Sequence, residues 1–167
     1  MITRREAALK WTVVALAALV LLFLHTLSFS RLSLWGVAPF LPPLIVAAVC
    51  SIENDLGSII FSLVFGVLCD LSLGGLLPCL YTLAFFFAAV LILILGHSVL
   101  QPGFFCALIS AAVSFLLTAA LSFVALAGGN ATFGECVSLF FRELLVSLPL
   151  LPLCFLVFWR IHKFFTV

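Results

Sequence analysis

Four ionisable residues lie within or next to long apolar runs of this 167-residue chain: His25, Asp70, Arg142 and Glu143. Carboxyl and imidazole groups can act as acids or bases, but only within reach of the atoms they serve. Nucleophilic catalysis needs a nucleophile beside its base, and the sequence shows neither metal-type His/Asp/Glu spacing nor a phosphate-binding glycine loop. We therefore predict that the protein is not an enzyme and has no metal and no cofactor.

Asp70 ends a stripe of small and polar residues spaced four apart, which comprises Ser58, Ser62, Gly66 and Asp70. Residues four apart lie on one face of a helix, and small residues let neighbouring helices approach closely. A carboxylate in hydrocarbon costs at least about 2.5 kcal/mol, so it is expected to face other helices, water or a partner. The stripe predicts an internal helix-packing seam with Asp70 as its polar anchor.

The composition indicates an integral membrane protein built from helices. Two thirds of the residues are hydrophobic, 8% are charged, and the mean hydropathy is +1.48. No soluble domain of this length could hide so much apolar surface, and long uncharged runs favour helices over a barrel. The net charge of +1 gives no indication of a nucleic-acid partner. The six cysteines are scattered without a CxxC pair and are read as small apolar residues.

Polar and Gly/Pro-rich breaks divide the chain into six predicted membrane helices within one domain, residues 1–167. Their predicted ranges are about 11–29, 36–52, 56–73, 78–96, 104–127 and 136–159. Pro39, Pro42 and Pro43 predict a late start or a kink in the second helix, and Pro149 and Pro152 predict bends in the sixth.

Five of the seven basic residues lie near the two termini, which predicts that both termini are cytoplasmic. With this topology the four residues of the intramembrane charge cluster lie near the outer end of their helices: His25, Asp70, Arg142 and Glu143. Asp70 and Arg142 then either pair across the bundle or extend separately to the outer headgroups. The sequence leaves both possibilities open.

A short motif gives the chain a resemblance to a known family. Residues 66–74 read Gly66-x-x-x-Asp70-Leu71-x-x-Gly74, with Pro39 and Pro42-Pro43 upstream and Leu80-Tyr81-Thr82-Leu83 at the start of the fourth helix. A six-helix chain of this length with that motif resembles the rod shape-determining MreD family, and its sixth helix is similar to that of clostridial members. It departs from the family at Pro78-Cys79-Leu80, where members often carry Gly with His or Phe.

The resemblance implies a non-enzymatic, multi-pass component of the bacterial cell (inner) membrane. Such a protein helps maintain rod shape by organising lateral peptidoglycan synthesis. Its implied partners are MreC, the MreB filament, RodA, a class B penicillin-binding transpeptidase and membrane lipid. The family is also similar in fold to the six-helix substrate-binding subunits of energy-coupling-factor vitamin transporters, and this similarity supplies an alternative function.

The fourth helix is rich in aromatic residues, and Tyr81, Phe85 and Phe86 could present a surface to a partner's membrane helix. They could equally face lipid. A vitamin-binding subunit needs a cavity where polar and aromatic groups converge, whereas a scaffold needs only a stable bundle with a recognition face. The few polar residues in the outer half favour the scaffold.

Overall fold

A computed structural model describes residues 4–27, 36–53, 55–73, 79–98, 103–126 and 133–166 of the chain. Within these ranges every regular element is helical, so the predicted all-α class is confirmed. The helices are α1 (Arg4–Leu27), α2 (Pro42–Ile52), α3 (Leu56–Leu73), α4 (Leu80–Ser98), α5 (Phe104–Leu126), α6 (Phe133–Ser147) and α7 (Leu151–Thr166). A 3-10 turn, Leu148–Leu150, joins α6 directly to α7.

Among the residues that the structure describes, four helical segments are long and apolar enough to cross a membrane: Arg5–Leu27, Leu56–Leu73, Phe104–Phe123 and Val137–Phe165. Two shorter apolar helices accompany them, Pro42–Ile52 and Leu80–Gly96. Lengths and apolar composition of this kind are typical of a helical membrane protein. The last of the four long segments runs continuously through α6, the 3-10 turn and α7.

Helix α2 is the central element of the bundle. All eleven of its residues are buried, and it packs against α3, α4, α5 and α7. At a rise of about 1.5 Å per residue it is only about 16 Å long, so α2 alone is too short to cross a membrane. The helices that surround it expose large apolar side chains on their outer faces, as expected of a bundle in lipid.

The start of α2 is buried without leaving a backbone donor unsatisfied. The first four N–H groups of a helix have no partner within it, but Pro42 and Pro43 have no N–H to satisfy. The next two donors, the N–H groups of Leu44 and Ile45, both bond to the carbonyl of Leu41, at 2.9 and 3.1 Å. Two prolines at its first turn therefore let α2 begin inside the apolar interior.

The helix boundaries differ from the predicted ones where apolar runs contain proline or continue into polar flanks. Helix α2 begins at Pro42 rather than at residue 36, because residues 36–41 are not helical. Helix α1 begins at Arg4 rather than at residue 11, since charged residues continue the helix out of the apolar run. The predicted sixth helix begins at Phe133, changes to a 3-10 turn around Pro149 and continues to Thr166.

An ion-pair network joins three helices at one end of the bundle. The Glu53 carboxylate, just after α2, lies 2.5 Å from both Lys10 Nζ of α1 and His162 Nδ1 of α7. Lys10 is buried, and Glu53 and His162 are partly buried. The start of α1, the end of α2 and the end of α7 therefore lie together, and His25 at the end of α1 lies at the opposite end.

Candidate functional site at the Asp70 helix junction and two adjoining cavities

Asp70 caps the first turn of the next helix. Its Oδ1 accepts a hydrogen bond from the backbone N–H of Tyr81 at 2.9 Å. Its Oδ2 accepts from the backbone N–H and from the hydroxyl of Thr82, at 3.0 and 2.6 Å. Free N–H groups and the helix dipole both favour an anion at this position, so α4 itself supplies the polar partners that the partly buried carboxylate needs.

Gly66, one turn before Asp70, brings the two helices into backbone contact. A Cβ atom at Gly66 would lie 2.6 Å from Thr82 Cα and 3.1 Å from the Tyr81 carbonyl oxygen. Those are backbone atoms and cannot move aside as a side chain could. The glycine and the aspartate of the motif therefore act on the same first turn of α4, one by allowing close approach and the other by capping it.

The two serines of the stripe face α2. Ser58 and Ser62 are buried, and the Ser62 hydroxyl lies 3.3 Å from Cys50 Sγ of α2 while it donates to the Ser58 carbonyl at 2.8 Å. Of the remaining motif residues, Leu71 is 79% exposed and Gly74 lies outside the described residues. The stripe thus contacts α2 along one part and α4 along the other.

The predicted pairing of Asp70 with Arg142 is not formed. Arg142 is exposed on the outside of the bundle, and within the described ranges no ion pair joins it to Asp70. The physical reason is that the carboxylate oxygens already accept three hydrogen bonds from α4. Arg142 therefore lies on the outside of the bundle, apart from Asp70.

His25 and Glu143 do come together, because both line one cavity of about 390 Å³. The described lining of this first cavity also includes the non-helical segment of residues 36–40 and Leu139. Glu143 lines a second cavity of about 180 Å³ as well, together with Tyr81 of α4 and Thr118 and Ser122 of α5. Phe40, Leu139 and Glu143 are common to both cavities.

Phe40 is the aromatic centre of this region. Its ring lies 5.6 Å from His25, 5.7 Å from Tyr81 and 6.4 Å from Phe115, measured between ring centroids. Its backbone N–H donates to the Ser147 hydroxyl at 2.8 Å. That bond ties the segment before α2 to the end of α6 and fixes Phe40 between the two cavities.

Buried His25 lacks a partner on one ring nitrogen. The residue is 4% exposed, and its Nδ1 atom has no hydrogen-bond partner among the described residues. The simplest expectation for an interior histidine is that its ring nitrogens are hydrogen-bonded. His25 departs from that expectation, and its side chain lines the first cavity.

The predicted partner-facing set on α4 is corrected by the structure. Phe85 is completely buried and stacks on Phe65 of α3 with a centroid distance of 6.2 Å, so it cannot present a surface. Tyr81 is half-buried and lines the second cavity. Phe86 is half-buried and contacts Phe87, which is 49% exposed, so the outward aromatic surface of α4 consists of Phe86 and Phe87.

Several contributors could not be singled out from the sequence. Phe40, Thr118 and Ser122 line the cavities, but apolar and hydroxyl residues in a hydrophobic chain carry no separate signal. By contrast, the sequence did contain a signal for the Lys10–Glu53–His162 network, because the predicted topology places opposite charges from three helices at the same end. Within the described ranges no group of three or more His, Cys, Asp or Glu side chains could hold a metal ion.

Comparison with protein families, with curated proteins and with solved structures finds no match to this chain.

Proposed function

We propose that this protein is a non-catalytic membrane scaffold of the MreD type, which helps maintain rod shape by organising lateral peptidoglycan synthesis with MreC. The observation that carries the proposal is the Asp70 junction. Gly66 and Asp70, the two residues that give the motif its character, both act on Thr82 and the first turn of α4. A motif used to hold helices together is what a scaffold requires.

The proposed setting is the bacterial cell membrane, with both termini on the cytoplasmic side. Support comes from the basic residues near the termini and from the network that gathers Lys10, Glu53 and His162 at one end of the bundle. Positive charge is enriched on the cytoplasmic side of membrane proteins. In this orientation MreB would bind at the end of the bundle that carries the Lys10–Glu53–His162 network. RodA and the transpeptidase would bind within the membrane.

The proposed surface for MreC is the outward aromatic face of α4, formed by Phe86 and Phe87. Aromatic side chains are enriched at protein contacts because they bury a large area. These two rings lie 5.7 Å apart in an edge-to-face arrangement, and Phe87 points away from the core. Such a surface can also contact lipid.

The test is a mild-detergent purification of the tagged full chain from its own host, read by mass spectrometry. Recovery of MreC with RodA or the transpeptidase is the expected result. The Phe87→Ala variant is expected to recover less MreC, and Leu116→Ala on α5 is the matched control because Leu116 is also an exposed apolar residue. Unchanged recovery with Phe87→Ala would assign that face to lipid, and absence of MreC from the wild-type sample would refute the scaffold.

The alternative is a substrate-binding membrane subunit of an energy-coupling-factor-type vitamin transporter. It is favoured by the two cavities that converge on Phe40 and Glu143, since a binding subunit needs polar and aromatic groups around a hollow. In the same purification, recovery of a coupling subunit with ATPases would establish this function in place of the scaffold.

A further inference from the structure

Glu143 is a carboxylate without a partner inside a segment long enough to span a membrane. It lies within the segment Val137–Phe165 and lines both cavities. Within the described part of the chain it forms no ion pair. A carboxylate within a membrane-spanning segment is costly and is usually paired or functional, so a cationic ligand would suit the cavities that Glu143 lines.

Apart from His25, no described residue that lines the two cavities has a basic side chain. Arg142 directly precedes Glu143 on α6, but it is exposed, and consecutive helical residues do not face each other. The basic side chains Lys10 and His162 belong to the network at the opposite end of the bundle. No lysine or arginine of the described residues therefore forms an ion pair with Glu143, and a cationic ligand could take that place.

His25 gives a second, independent indication of a ligand. Its buried Nδ1 atom has no partner, and its side chain lines the same cavity as Glu143. A buried polar atom left without a hydrogen bond is destabilising, and a bonding ligand removes that penalty. A ligand that bonds to both groups would satisfy an acid and an imidazole that enter the site from different helices.

The aromatic residues around the cavities restrict the chemistry of the ligand. Phe40 lies between the cavities, and the rings of Tyr81 and Phe115 are within 6.4 Å of it. Aromatic faces attract cations such as ammonium groups. Thr118 and Ser122 add hydroxyl groups on the α5 side, where they can accept hydrogen bonds from an N–H donor.

We propose that these adjoining cavities bind an organic ammonium group, with Glu143 as its counter-ion and Phe40, Tyr81 and Phe115 as its aromatic enclosure. His25 is assigned to hydrogen-bond the part of the ligand that occupies the first cavity. That cavity, at about 390 Å³, falls within the usual range of small-molecule sites, about 300–1,000 Å³. No covalent step is involved.

The ammonium group has two natural sources with the same chemistry. It can belong to a free amine that enters the cavity, or to the headgroup of a lipid such as phosphatidylethanolamine. Binding of either satisfies Glu143. The inference does not rest on the scaffold function, because a scaffold can also hold a lipid or an amine, and MreC recovery is measured separately from ligand binding.

The experiment uses the purified full chain in nanodiscs of phosphatidylglycerol, with or without phosphatidylethanolamine. Bound phosphatidylethanolamine is read by native mass spectrometry. Free amines are tested by adding ethanolamine or benzyltrimethylammonium and following the thermal unfolding midpoint. At least one of these probes is expected to bind the wild-type protein, and the one that binds identifies the source of the ammonium group.

Glu143→Gln keeps the shape of the side chain and removes its charge, so we expect affinity to fall by about tenfold or more. The matched control is Glu135→Gln, since Glu135 is an exposed acid of the same helix that lines neither cavity. The Glu135→Gln variant is expected to bind the probe as tightly as the wild type does. Ala119→Leu, which fills the second cavity and leaves the charge in place, serves if Glu143→Gln does not fold.

Two results would overturn the proposal. One is that none of the three probes binds the wild-type protein. The other is that a folded Glu143→Gln or Ala119→Leu variant binds the probe as tightly as the wild type does. Either result would leave the scaffold proposal to stand or fall on the recovery of MreC.

Discussion

Asp70 and Thr82 are joined by two hydrogen bonds to a single oxygen. Asp70 Oδ2 accepts from the Thr82 backbone N–H at 3.0 Å and from the Thr82 hydroxyl at 2.6 Å. The acid is on α3 and caps a different helix, so a capping interaction that is usually local here fixes two helices together. A carboxylate that looked isolated in the sequence is thus satisfied by two backbone N–H groups and one hydroxyl, eleven and twelve residues away.

Replacing Asp70 by Asn is expected to lower the stability of the protein. Asn has one acceptor oxygen and a donor NH₂ group, which would point at N–H groups that already donate. Losing a helix cap costs about 0.5–2 kcal/mol. Because the Asp70 bonds are partly buried and involve a charged group, we expect a cost near the upper end of that range. The measurement is the thermal unfolding midpoint in detergent.

The matched control is Asp55→Asn. Asp55 accepts the Leu56 N–H at 2.6 Å at the start of α3, but at an exposed position, where water can replace the bond. A smaller loss for Asp55→Asn than for Asp70→Asn is expected. Equal losses would show that capping between two helices adds nothing to an ordinary local cap.

Gly66→Ala tests the close approach of α3 and α4. The added methyl group would lie 2.6 Å from Thr82 Cα, so the helices must separate or shift. Overpacking of this kind typically costs about 1–3 kcal/mol, and the shift would also lengthen the Asp70 bonds. The folded fraction is measured by size-exclusion chromatography after heating.

Gly134→Ala is the control for that substitution. Gly134 lies in α6 with nothing within 4 Å of an added Cβ atom, and alanine is the better helix former. It is expected to be neutral or slightly stabilising. If Gly66→Ala behaves like Gly134→Ala, the contact with Thr82 does not limit the packing of these helices.

The sequence determined some parts of this architecture well because the relevant signals are local. Helix α3 has the predicted bounds of 56 and 73, since a polar break precedes it and small residues follow it. The inward stripe followed from residue spacing alone. The three prolines predict the late start of helix α2, which the structure shows at Pro42, but the predicted range begins at residue 36 because it follows the apolar run.

Side-chain partners were harder to predict than helices. The partners of Asp70 are two backbone N–H groups and one hydroxyl, and backbone donors do not appear in a sequence as residue types. Charge alone suggested Arg142, which is exposed. The burial of Phe85 likewise depends on the rotation of α4 against α3, and a helix that is apolar all round gives no sequence signal for that rotation.

Cys79 has a backbone conformation that favours glycine. Its φ angle is +64°, in the left-handed region that costs an L-residue roughly 1–2 kcal/mol. We expect Cys79→Gly to raise the thermal unfolding midpoint, although the greater freedom of glycine in the unfolded chain offsets part of the gain. Cys79→Ala, which removes the thiol and keeps the Cβ atom, is expected to give no gain. An equal rise in both variants would assign the effect to the thiol.

The Lys10–Glu53–His162 network is expected to stabilise the end of the bundle opposite the cavities. Glu53→Gln leaves the buried Lys10 ammonium without the carboxylate 2.5 Å away, and breaking a buried pair from one side costs about 3 kcal/mol. Chemical unfolding in a mild detergent measures the loss. Lys163→Gln is the control, because Lys163 is exposed on the same α7, and a substitution there is expected to stay within about 0.5 kcal/mol.

Adding Lys10→Met to Glu53→Gln is expected to restore part of that stability. Methionine removes the buried charge and keeps an apolar stem of similar length, and replacing both members of a buried pair is far less costly than removing one. The free energy of unfolding of the double variant should therefore exceed that of the Glu53→Gln single variant. If the double variant is no more stable than the single variant, the Lys10–Glu53 ion pair does not account for the loss. The contact between Glu53 and His162 Nδ1 must then carry the stabilisation.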